Sequence, residues 1–188
     1  MLLPAVAALL VATTVLWHAA YAGFSDSTAV RALPSITTGT VVLGDDDAGT
    51  KMFAVTGLKP GATATKCIKV TSTGTVPATV RLYGTGITST NSMSRYLNLA
   101  VYLGTGGATA SCSGFSGSLV YNGSVSGFPT DSYANGVGTW TTTGTATETR
   151  TYAVVYTLST NTPTSVQGGA TGLTFVWEAR QTADGRAR

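Results

Sequence analysis

Imidazoles, thiols and paired carboxylates carry most hydrolytic and metal chemistry, and this chain is sparing with all three. It holds one histidine, His18, two cysteines, Cys67 and Cys112, and eight carboxylates in 188 residues. A Ser-His-Asp or Cys-His site needs an imidazole base against its nucleophile, so catalysis of that kind hangs on His18 alone. His18 lies inside a largely apolar run from Leu2 to Ala22, which ends in Ala20-Tyr21-Ala22 ahead of the polar Gly23-Phe24-Ser25-Asp26-Ser27. Small–any–small after an apolar run is the cut pattern of a signal peptidase, and cleavage between Ala22 and Gly23 takes the only histidine away. The remaining chain then excludes both kinds of site and every His-based zinc site, and two cysteines fall short of a four-ligand zinc site. The chain is therefore expected not to be an enzyme.

The carboxylates are Asp26, Asp45, Asp46, Asp47, Asp131, Glu148, Glu178 and Asp184. A glycosidase-like pair needs two of them about 5–9.5 Å apart across a cleft. Glu178 alone falls in a well-defined strand pattern, on the face opposite Phe175 and Trp177, and reads as a solvated strand residue. The run Asp45-Asp46-Asp47, between Gly44 and Gly49, offers hard oxygen ligands of the kind Ca²⁺ takes, but without the spacing of an EF-hand. A solvated turn is the alternative there, and no other cofactor is implied. Among the aromatics, Tyr83, Tyr152, Tyr156, Phe175 and Trp177 sit on alternating strand positions that suit a core. Trp140, in Gly138-Thr139-Trp140-Thr141, has the least regular setting and is expected to be the surface aromatic of a carbohydrate-binding platform if there is one. Asn122-Gly123-Ser124 satisfies the N-glycosylation pattern.

The elements that position these residues read as strands. Charged residues make up 10% of the chain, glycine occurs 23 times and the formal net charge is +3. A composition rich in β-branched residues and glycine disfavours helix, and cations this scattered make no nucleic-acid surface. Period-two alternation marks 64–72, 76–83, 152–158 and 173–180, with Ile68 and Val70, Val80 and Leu82, Val154 and Tyr156, and Phe175 and Trp177 on the inward faces. Weaker candidates are 36–43, 51–55, 96–103, 118–121 and 137–143, and Met93-Ser94-Arg95 allows one helical turn. Gly44-Asp45-Asp46-Asp47-Ala48-Gly49, Lys59-Pro60-Gly61, Ser72-Thr73-Gly74, Asn122-Gly123 and Gly168-Gly169 read as turns. Eight or nine short strands so punctuated predict an all-β, jelly-roll-like β-sandwich, with 104–148 as its least regular part.

The expected organisation is a signal segment at 1–22, an N-terminal segment at 23–35, a sandwich at 36–181 and a polar tail at 182–188. Export predicts a secreted or surface location, with the membrane reached only through the export segment. No Lys or Arg precedes Arg31, whereas a signal peptide opens on a basic segment; a start placed upstream would supply one, and retention as an N-terminal anchor is the alternative. In an exported chain the even pair Cys67 and Cys112 is expected to be a disulfide, two buried thiols being the alternative.

Several of these residues together resemble the TasA/camelysin-type surface proteins. The likeness lies in the Ala-Tyr-Ala signal end, in Phe24-Ser25-Asp26-Ser27, and in Thr38-Gly39-Thr40-Val41-Val42-Leu43. It continues through Leu58-Lys59-Pro60-Gly61 and Cys67-Ile68-Lys69-Val70-Thr71-Ser72-Thr73-Gly74-Thr75, where Ser72 or Thr73 stands in place of the family's usual Asn. The resemblance implies a jelly-roll-like sandwich, export, and assembly into homo-oligomers or biofilm fibres by donation of a β-strand. The donor is then the segment 23–34, with Phe24, Ser25, Asp26, Val30 and Leu33 as its assembly residues. The competing expectation is a monomeric cell-surface module that binds carbohydrate or Ca²⁺.

Overall fold

The computed structural model describes residues 40–46 and 58–182. The expected signal segment, the segment 23–35 and the candidate strand at 51–55 lie outside these residues. Among the described residues the chain forms, beside three single 3₁₀ turns, eight strands and one short α-helix. They are β1 (Leu43–Asp45), β2 (Thr63–Ser72), β3 (Ala78–Ser89), α1 (Met93–Tyr96), β4 (Leu97–Thr105), β5 (Ser116–Ser124), β6 (Val137–Thr142), β7 (Glu148–Leu158) and β8 (Thr171–Gln181). One sheet has the order β1-β2-β7-β4-β5 and the other β6-β3-β8, all antiparallel. The all-β sandwich expected from the alternation is the fold that forms.

The connectivity is that of one long folded hairpin. β4 and β5 pair at its closed end, β3 pairs with β6, and β2 pairs with β7. This nesting is the jelly-roll pattern, and its next pair would join β1 to β8. Here β1 touches β8 but hydrogen-bonds along β2, with Leu43 opposite Ser72 and Asp45 opposite Val70.

Strand alternation explains the core. Ile68, Val70, Val80, Leu82, Leu99, Val101, Tyr152, Val154, Tyr156 and Trp177 point between the sheets and are buried. Aromatic rings meet edge to face from Tyr121 to Phe128 and from Phe128 to Phe175, while Trp177 packs edge-on against Tyr152, geometry that favours the ring quadrupoles. The Tyr152 hydroxyl donates to the Gly138 carbonyl at 2.9 Å, so this fully buried phenol keeps its polar end satisfied, and burial pushes its pKa up. A smaller cluster of Met93, Leu158 and Val166 sits beside α1, the single helical turn expected at Met93-Ser94-Arg95.

Three expectations are corrected. Asn122-Gly123 is no turn but lies inside β5, paired with Ala100 and Leu99. Gly44-Asp45 belongs to β1 rather than to a turn. Trp140 is 6% exposed and part of the core, because β6 alternates in register with β3 and sets Trp140 opposite Val80.

Candidate functional site

Cys67 and Cys112 form a disulfide. Cys67 faces away from the core, on the outer side of the five-stranded sheet beside Ala153. The β4–β5 connection therefore folds back over that outer face, and Cys67, Thr151 and Ala153 are buried although they point away from the core. Glycine makes the return possible. Gly106 and Gly107 take positive φ, and Gly107 lies 3.3 Å, measured from an ideal Cβ, from the Cα of Cys112.

Asp46 pins the same connection from the other side. Its carboxylate accepts from the Lys69 backbone N–H at 2.8 Å, from the Thr109 backbone N–H at 2.9 Å and from the Thr109 hydroxyl. Partial burial pulls the Asp46 pKa upward, but the bonds from Thr109 and Lys69 outweigh it and hold the carboxyl below its ordinary range. Of the run considered for Ca²⁺, then, Asp46 spends its oxygens on the protein, Asp45 is a residue of β1, and Asp47 lies outside the described residues. Among those residues, no group of three or more His, Cys, Asp or Glu side chains is placed to hold a metal ion.

The outer face of the three-stranded sheet carries a polar cluster. Glu178, expected as a solvated residue, is only 9% exposed. It stands opposite Arg81 across the sheet, accepts from the Tyr83 hydroxyl at 3.0 Å and pairs with Arg180 at 2.7 Å. The Tyr133 ring lies 4.4 Å from the Arg180 guanidinium carbon and 5.1 Å from that of Arg81, within cation–π range. Its hydroxyl donates to the Thr79 carbonyl, and Arg81 donates to the Ala134 carbonyl. The cluster fastens the turn Tyr133–Asn135 onto the sheet. Alternation placed Glu178 on the outer face correctly, whereas Tyr83, grouped with the core aromatics, lies on that outer face and donates to Glu178.

The edges of the sheets are the remaining feature. β1 is three residues long, β8 carries Glu178 and Arg180, and β6 buries Trp140, whose ring the Arg150 guanidinium covers at 5.4 Å. β5 is different: nine residues, SGSLVYNGS, without a charge, and with Leu119 50% exposed. The segment residues Ala22, Gly23, Phe24, Ser25, Asp26, Val30 and Leu33 all lie outside the described residues.

No helix among the described residues is long and apolar enough to cross a membrane. No protein-family model matches the chain, and no curated protein matches it.

Proposed function

We propose that the chain is an exported structural subunit that assembles at the cell surface by β-strand addition. The observation that carries this reading is the nested pairing of β4 with β5, β3 with β6 and β2 with β7, with β8 paired to β3 alone among the described residues. A strand laid along the other side of β8 would complete the nest as a fourth strand. Antiparallel addition joins backbone N–H and C=O groups and asks little of side chains, which suits a domain whose described carboxylates are engaged in structural bonds or scattered. The N-terminal segment 23–35 is the donor in this reading, freed by cleavage after Ala22. The disulfide fits an oxidising location. The burial of Trp140 removes the residue on which a carbohydrate platform rested.

The test is deletion of residues 23–34 from the chain that begins at Gly23. Electron microscopy should find filaments with the full chain and none with the deletion, while circular dichroism finds both folded. Filaments from the shortened chain would overturn donation by this segment.

A further inference from the structure

Edge strands normally carry charge, proline, a β-bulge or extreme shortness, which blunt pairing with another chain. Of these β5 has only a bulge: Ser116–Ser124 is nine residues long and carries neither charge nor proline. Its one irregularity is a bulge at Val120, since Tyr121 stands opposite Val101 and Leu119 opposite the next residue, Tyr102. The bulge has a consequence for the side chains. Val101 is fully buried in the core, so Tyr121 faces inward, while Tyr102 and Leu119 share the outer face. Simple alternation would have put Leu119 on the core side with Tyr121. The bulge instead turns it to solvent beside Tyr102, next to the exposed run Ser116–Leu119.

We infer that β5 is a homotypic interface, pairing antiparallel with β5 of a second copy about a two-fold axis at Leu119. In that register Leu119 meets its own copy, Ser118 meets the bulged pair Val120 and Tyr121, Gly117 meets Asn122 and Ser116 meets Gly123. Every pair is uncharged, so the strand meets itself without like-charge repulsion. A partner strand bearing charge would instead set it against Leu119 and Tyr102 with no counter-charge along β5. An isologous contact of this kind closes on itself and joins two five-stranded sheets edge to edge. It uses no residue of 23–35 and lies at the sheet edge remote from β1 and β2, so it is independent of strand donation along β8.

The test uses the chain from Gly23 and, to remove filaments, the same chain lacking residues 23–34. Sedimentation should show a reversible dimer in the shortened chain. Leu119→Lys, at a half-exposed position that leaves the fold intact by circular dichroism, should weaken that dimer roughly tenfold or more through like charges set opposite each other. Under mild oxidation Leu119→Cys should cross-link into a dimer, whereas Asn122→Cys, which stands opposite Gly117 and far along the strand from its own copy, should not. A monomer at every concentration, or equal cross-linking by both cysteines, would overturn the proposal. Loss of filaments on deletion with the dimer kept would support both assembly modes; filaments without a Leu119-dependent dimer would sink this one alone.

Discussion

The most informative single residue is Asp46. Its carboxylate joins three donors from two separate parts of the chain, Lys69 in β2 and Thr109 in the β4–β5 connection. Hydrogen bonds to a charged acceptor are stronger than neutral ones, although the partial exposure of Asp46 keeps the gain small. Its native pKa is lowered, so the folded state binds the proton less readily than the unfolded chain, whose carboxyl titrates near 3.9. The sign follows: stabilisation is complete above that value and is lost as pH falls through the lower native pKa. Asp46→Asn keeps one acceptor oxygen and loses the charge. Urea unfolding should find the variant less stable by about 1 kcal/mol at neutral pH, with the difference shrinking towards about pH 3. A constant difference across that range would show that the carboxylate's charge contributes nothing.

At the scale of elements, the pinned β4–β5 connection is the unusual part. Two anchors hold it, Asp46 at Thr109 and the disulfide at Cys112, only three residues apart in sequence. The disulfide closes a loop of 45 residues, and the chain-entropy model gives about 4 kcal/mol for a loop of that length. Cys67→Ser with Cys112→Ser should therefore lower the unfolding free energy by about that amount. It should also speed hydrogen exchange in residues 106–115 more than in the core strands. Adding Asp46→Ala should cost more than the sum of the separate changes, because both anchors restrain one segment. This segment also shows what the sequence made legible. Period two in β2, β3, β7 and β8 put Ile68, Val80, Tyr152 and Trp177 inside, because side chains on a strand alternate regardless of what packs on them. The pairing of Cys67 with Cys112 followed from parity and export. Features that depend on register or on a remote partner did not show: the bulge at Val120 that turns Leu119 outward, the bond from Thr109 to Asp46, and the lid of Tyr133 over Arg81 and Arg180. Trp140 read as exposed because its neighbours Gly138 and Thr139 break the hydrophobic pattern, yet pairing with β3 fixes its side regardless.

At the scale of the whole molecule, the two sheets are unequal, five strands against three, and the sandwich leans on β8 to close one side. Leu173, Phe175 and Ala179 on β8 are partly buried against the core, as is Leu43 on the neighbouring β1. A strand added along β8 would cover apolar surface there and extend the sheet, so it should stabilise the subunit as well as link it. Linkage makes this measurable without filaments. If strand donation holds, a synthetic peptide of residues 23–35, added to the chain that lacks residues 23–34, should bind the folded sandwich and not the unfolded chain, and so raise its stability. At a hundred times its dissociation constant the gain is about 2.7 kcal/mol, visible as a concentration-dependent rise in the melting temperature. A peptide with Val30 and Leu33 both changed to Asp should lose most of the effect, since strand donation along β8 would bury apolar side chains beside Leu173 and Phe175. The Leu119→Lys change on β5, at the far edge of the other sheet, should leave the peptide's effect untouched. If the native and the doubly substituted peptide raise the melting temperature alike, the segment 23–35 does not complete this sheet through its apolar residues, and donation must come from another part of the chain.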